Sequence, residues 1–188
     1  MDVEKYLKRI KYSGSREPTL STLAELIECH KANVSYSNLQ ILGGPKVRIL
    51  LEDAYKNVVE KNGAGICYEL GGLFVWMLRK LGFTAYAYQG QFWGDFFDPP
   101  SFLPRCSHFI TIVEVEGVRY IVDPGWVMFG PMKFEVGLPH VETHAVYRIM
   151  PCDLGENFYN LWHHKKTVLD SEGNLLKQGP KPAGPLDE

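Results

Sequence analysis

His108-Phe-Ile-Thr-Ile-Val-Glu-Val115, then Glu116-Gly117, then Val118-Arg-Tyr-Ile-Val-Asp123, reads as two β-prone runs joined by a two-residue turn. Such a connection fixes which residues lie opposite one another. If Val115 faces Val118, then Ile110 faces Asp123 and His108 faces Gly125. Side chains alternate between sheet faces with a period of two, so His108 and Ile110 share a face, and Asp123 falls on that face diagonal to His108. A hydrogen bond between imidazole and carboxylate is then geometrically cheap. Taken by itself, such a pair reads more plainly as a tie between strands than as chemistry.

Working outward, Phe83 to Gln91 alternates aromatic and small residues, which predicts a further strand, and Trp93 to Ser107, with Asp98-Pro-Pro-Ser101 and Pro104, predicts a long loop. Upstream the pattern is helical. Leu70, Leu73, Phe74, Met77, Leu78 and Leu81 form one apolar stripe that begins at or near Cys67 and is ended by Gly82. Leu20, Leu23, Ala24 and Ile27 follow Thr19, a suitable N-cap, and predict a helix over 20–32. Leu51, Ala54, Tyr55, Val58 and Val59 predict another, stopped by Asn62-Gly63. Short strands are expected at 145–150 and 158–162. The fold class is therefore α+β. A helical N-terminal part, 1–82, precedes an antiparallel β-rich part, 83–178, and a Pro/Gly-rich tail, 179–188.

The chain has 188 residues, 45% of them hydrophobic and 22% charged, enough to bury a sizeable core. Its 20 Lys and Arg against 22 Asp and Glu give a net charge of -2, which offers no general attraction to nucleic acid or to an anionic membrane. The first residues, Met1-Asp-Val-Glu-Lys-Tyr6, carry charges where a secretory signal needs apolar ones, and no run is long enough to span a bilayer, so the expected location is the cytoplasm. Oligomeric state is not legible. Four cysteines, at 29, 67, 106 and 152, lack paired metal-ligand spacing and are expected as thiols.

Of these, Cys67 stands at a helix start, after Gly63-Ala-Gly65, a segment that permits the tight backbone needed to present a side chain there. The positive end of a helix and a neighbouring imidazole favour a thiolate. With His108 as base and Asp123 fixing its tautomer, the three residues make a Cys-His-Asp triad, a cysteine-protease-like core. Cys106 is the weaker rival, since residues two apart on a strand point the same way as His108 rather than converging on it. Cys29 and Cys152 read as small buried hydrophobes. His140 and His144 have ligand-like spacing, but Pro139 argues against a metal-binding helix, and His163-His164 lacks a partnering cluster, so no metal is expected.

Three segments together resemble the arylamine N-acetyltransferase family: Gly63-Ala-Gly-Ile-Cys67-Tyr-Glu69, Ser107-His108-Phe-Ile-Thr-Ile-Val113, and Val122-Asp123-Pro-Gly125-Trp126. Tyr6-Leu-x-Arg9-Ile10, Leu20 to Ile27 and Val34-Ser-Tyr-Ser-Asn38-Leu39 extend the likeness over roughly the first two-thirds of the chain. The resemblance implies that acetyl-coenzyme A donates its acyl group to Cys67 as a thioester. An aromatic amine or hydrazine then attacks, with His108 moving protons. It also implies an acceptor pocket lined by Trp126, to which Phe92 and Trp93 could add apolar surface. Three positions depart from the family's pattern. Gly63 stands where its arginine stands, Ala64 replaces a glycine, and Gly71 occupies the place of an asparagine. The chain also lacks much of the family's usual C-terminal region.

The same three residue types serve other ends. A related enzyme could form an amide on a tethered acyl chain, and a thiol hydrolase would use water as acceptor. A catalytically inactive homologue would keep the fold as a ligand-binding module.

Overall fold

The computed structural model describes residues 1–43, 48–90, 108–126, 128, 130–142, 145–152 and 158–165. Among the described residues, five α-helices and seven strands follow in the order expected, helices first and antiparallel strands after. The chain divides into two compact units, one whose elements run from Met1 to Lys133 and one whose elements begin at Phe134.

In the first unit, α1 (Val3–Arg9) is capped by Asp2, whose carboxylate accepts the Glu4 and Lys5 amides at 2.8 and 3.4 Å. The second helix, α2 (Leu20–Asn33), starts at Thr19, whose hydroxyl accepts from the Thr22 amide. After the short α3 (Leu39–Gly43), α4 (Leu51–Tyr55) opens into one π-helical turn, Lys56–Glu60. Periodicity over 51–59 predicts a single helix and does not reveal that widening. Asn62, in the left-handed region at φ 56°, stops it. The helix that carries the apolar stripe is α5 (Cys67–Lys80), ended by Gly82 at φ +90°.

The strands β1 (Thr84–Gly90), β2 (His108–Val115), β3 (Val118–Val122) and β4 (Met132–Lys133) form an antiparallel sheet in sequence order. Val115 pairs with Val118 and Thr111 with Val122, the register that the two-residue turn demands. Glu116 and Gly117 both take positive φ, 52° and 76°, as a type I′ hairpin requires. Alternation then sorts the side chains. Ala85, Val113, Val115 and Val122 lie on the face that joins Leu70, Leu73, Phe74, Met77 and Leu78 of α5, together with Tyr6, Ile10, Leu23 and Ile27, in one core. On the opposite face Ile112, Ile121 and Met132 are also buried. A sheet buried on both faces loses the hydrophobic-in, polar-out signature, which is why β2 reads as a nearly continuous apolar run.

The second unit holds β5 (His140–Val141), β6 (Ala145–Pro151) and β7 (Tyr159–Lys165), an antiparallel sheet with β6 in the centre. Ala145, Tyr147 and Ile149 alternate as its buried positions, and the rings of Phe134 and Tyr159 meet edge to face at 5.1 Å. Among the described residues, no helix is long and apolar enough to cross a membrane.

Candidate active site

Cys67 is the first residue of α5 and is buried. The chain enters the helix through extended backbone at Ile66, whose amide donates to Glu69 Oε2 at 3.0 Å, half of a capping box with the carboxylate at the positive end of the helix. The residues before it are fixed from two sides. Gly65 donates to the Ser35 carbonyl, and the Ser37 amide donates back to the Gly65 carbonyl, an isolated parallel bridge between the 34–39 stretch and the turn before Cys67. From the π-helical turn, the Asn57 amide group donates to the Ala64 carbonyl and the Asn57 carbonyl accepts from Gly63, both at 2.8 Å. A Cβ at residue 63 would stand 2.4 Å from Asn57 Oδ1, so glycine there is what admits the asparagine.

His108 opens β2 and Asp123 follows β3, both buried. His108 Nε2 lies 2.6 Å from Asp123 Oδ2, while Asp123 Oδ1 accepts from the Gly125 amide at 3.0 Å. Both carboxylate oxygens are thus engaged, and the proton on Nε2 leaves Nδ1 as the ring's second site. Burial opposes a charge on His108, but hydrogen bonds to Asp123 and to Cys67, with the negative charge of Asp123, outweigh it and raise the imidazole from 6.5 to about 9. His108 thus stands between Asp123 and Cys67, hydrogen-bonded to both.

The turn after Asp123 closes on Cys67 directly. A Cβ at residue 125 would come within 2.9 Å of Cys67 Cα and 3.1 Å of its Cβ, a spacing that only glycine permits. Trp126 sets its ring edge to face against His108 at 5.8 Å and remains 37% exposed, so it can meet a ligand. Lys31 of α2 clamps this turn: its Nζ donates to the Asp123 carbonyl at 3.0 Å and to the Trp126 carbonyl. Phe92, Trp93 and Cys106 lie outside the described residues. His140 pairs with Glu142 Oε1 at 3.4 Å, and among the described residues no group of His, Cys, Asp and Glu is arranged to hold a metal ion.

Sequence reasoning missed Lys31 and Asn57. Lys31 reaches carbonyls 92 and 95 residues away, and a lysine near the end of a helix is ordinarily a solvated charge. Asn57 carries a weak signal, a side-chain amide five residues before the Asn62-Gly63 stop.

The family model described as N-acetyltransferase matches residues 19–168, and the chain belongs to that family. An arylamine N-acetyltransferase of Mycolicibacterium smegmatis is 32% identical over 156 residues, which cover 79% of this chain and 56% of the relative. The solved structure of M. smegmatis arylamine N-acetyl transferase superposes with a TM-score of 0.75 at 28% identity, covering 87% of this chain and 61% of that one. Mycobacterium marinum arylamine N-acetyltransferase in complex with CoA gives a TM-score of 0.71 at 24% identity, over 91% of this chain and 67% of that one, a likeness of fold. The chain thus spans little more than half the length of the curated relatives it matches.

Proposed function

We propose that the protein is an acyltransferase of the arylamine N-acetyltransferase type, which takes an acetyl group from acetyl-coenzyme A onto Cys67 and passes it to an aromatic amine or hydrazine. The observation that carries this is the buried His108, hydrogen-bonded to Asp123 at 2.6 Å and to Cys67 at the start of α5. The donor and the acceptor class come from the relatives' names and from the coenzyme A bound to a relative of the same fold.

In the first half-reaction Cys67 Sγ attacks the thioester carbonyl of the donor, the coenzyme A thiolate leaves, and the imidazolium of His108 protonates it. In the second, the amine nitrogen attacks the acetyl-cysteine, His108 accepts its proton, and the amide departs as Cys67 Sγ is released. The same nitrogen thus serves as acid and then as base, with Asp123 holding the ring between steps. Each tetrahedral intermediate carries an oxyanion. Cys67 at the positive end of the α5 dipole places that charge where the helix favours it, and the Ile66 amide, already taken by Glu69, does not contribute. Trp126, beside His108 and partly exposed, offers the acceptor's ring an apolar surface.

The test is direct. Incubated with acetyl-coenzyme A, the protein should gain one acetyl group on Cys67 by peptide mass spectrometry and lose it on addition of an aromatic amine. Cys67→Ser should remain folded by circular dichroism and show no acetylation. Failure of Cys67 to take an acetyl group from any short acyl-coenzyme A would refute the reading.

A further inference from the structure

Gly71 sits in the middle of α5, where it does nothing for the helix. A glycine there costs about 1 kcal/mol relative to alanine. It is a helical residue without the positive φ that only glycine tolerates. The neighbouring Gly72 is a useful contrast: a Cβ there would meet only Leu51 Cδ1, at an ordinary 3.7 Å. A Cβ at Gly71 would instead lie 2.1 Å from Cδ1, 2.6 Å from Cε1 and 2.9 Å from Cγ of Phe109. These atoms include the base of the ring, so a small swing of a flexible tip does not relieve the overlap. Phe109 is half-buried against the core, and its ring also meets Tyr68 edge to face at 5.9 Å.

What makes this contact matter is where its two ends lie. Gly71 is four residues, a little over one turn and about 6 Å along the axis, beyond Cys67 on the same face of α5. Phe109 is the residue next to His108 on β2, and since neighbours on a strand point to opposite faces, fixing the Phe109 ring against α5 fixes where His108 emerges on the other side. From the carboxylate side, Gly125 already rests on the Cys67 backbone.

We propose that the Phe109 ring seated on Gly71 sets the distance between nucleophile and base, so that Gly71 and Phe109 are positioning residues for acyl transfer. This rests on the reading of Cys67 and His108 given above. The pair also accounts for glycine standing where the resemblance leads one to expect an asparagine: any side chain at 71 would contest the space that the ring fills.

The experiment compares wild type, Gly71→Ala, Gly72→Ala, Phe109→Ala and the double variant Gly71→Ala/Phe109→Ala. It reads the rate of Cys67 acetylation by acetyl-coenzyme A, and the titration of the His108 imidazole by NMR. Gly71→Ala should slow acetylation about a hundredfold, the scale of an ångström-level misplacement. It should also lower the His108 midpoint by about one pH unit, as Cys67 withdraws while Asp123 stays. Gly72→Ala should change neither. The double variant should match Phe109→Ala alone, because without the ring the added methyl group has nothing to displace, a non-additivity that simple destabilisation would not give. Should Gly71→Ala fail to fold, Phe109→Ala, which empties the seat without adding a methyl group, takes its place and should lower both readouts. Wild-type behaviour in the folded single variant, or losses that add in a folded double variant, would overturn the inference while leaving the acyl-transfer reading intact. Absence of acetylation in the wild type would instead overturn that reading, and this inference with it.

Discussion

Asp123 shows how much one side chain does here. It orients His108 through Oδ2 and holds the turn that touches Cys67 through Oδ1, so its charge and its shape are separable by mutation. Asp123→Asn keeps the shape but lets an amide N–H face the ring. The ring then turns or takes the other tautomer, and the charge that favours imidazolium is lost. We expect Cys67 acetylation to slow by roughly four orders of magnitude, in line with the effect of the same exchange in a serine-based triad, with little change in melting temperature. A rate within tenfold of wild type, measured by stopped acetylation and mass spectrometry, would show that Asp123 only ties strands together. Lys31 acts one step further out. Replacing it by Met keeps most of the apolar stem but removes donors to the Asp123 and Trp126 carbonyls. The loss should cost about 1 kcal/mol, since the site is partly exposed, and should slow acetylation several-fold as the turn loosens. Urea titration beside the acetylation assay would check both, and an unaltered rate would confine Lys31 to stability.

Among the elements, the hairpin and α5 were the most legible, for physical reasons that the less legible parts lack. A two-residue turn leaves one register, and the alternation of side chains then assigns His108 and Asp123 to one face without any knowledge of the rest. The stripe from Leu70 to Leu81 and the stop at Gly82 define α5 because Leu70, Leu73, Phe74, Met77 and Leu78 recur at helical spacing and are all buried in the core. By contrast the π-helical turn at Lys56–Glu60 keeps the apolar spacing of an α-helix well enough to pass for one, and Asn57's grip on Ala64 depends on that widening. The seat of Phe109 on Gly71 joins a helix to a strand through shape alone, which no periodicity records. The hairpin itself carries a testable imperfection. Glu116 occupies the left-handed region, where a side chain other than Asn or Asp is strained by about 1 kcal/mol. Glu116→Asn supplies the Asn-Gly pair that a type I′ turn prefers and should raise stability by about 0.5–1 kcal/mol, with acetylation unchanged. A variant that melts lower than wild type would mean that Glu116 earns its place through contacts of its side chain.

At the level of the molecule, two buried histidines bend stability in opposite directions with pH. His108 is raised to about 9 by its hydrogen bonds to Asp123 and Cys67, against the opposing effect of burial. Between its ordinary 6.5 and that value the native state holds a proton that the unfolded chain has released, so its contribution is complete below about 6.5 and disappears as pH rises through 9. His30 is the reverse case. It is wholly buried between Tyr6, whose hydroxyl lies 2.7 Å from Nδ1, and Phe74, and Nε2 has no partner among the described residues. Burial first, then the positive charges of Lys31 and Arg9, depress it to about 3, so the native state refuses a proton that the unfolded chain accepts below about 6.5. Stability should therefore peak near pH 6.5 and fall on both sides, by up to about 1.4 kcal/mol per pH unit for each proton. Urea unfolding from pH 5 to 9 in wild type and two variants separates the causes. His108→Asn should flatten the alkaline limb between about 7 and 9 and leave the acid limb. His30→Asn, less stable overall because it leaves a void beside Phe74, should lose the acid slope between about 6.5 and 5, where few carboxylates yet titrate. An alkaline limb of full slope in the His108 variant would locate the linked proton elsewhere and would remove the imidazolium from the resting state of the proposed acetylation step.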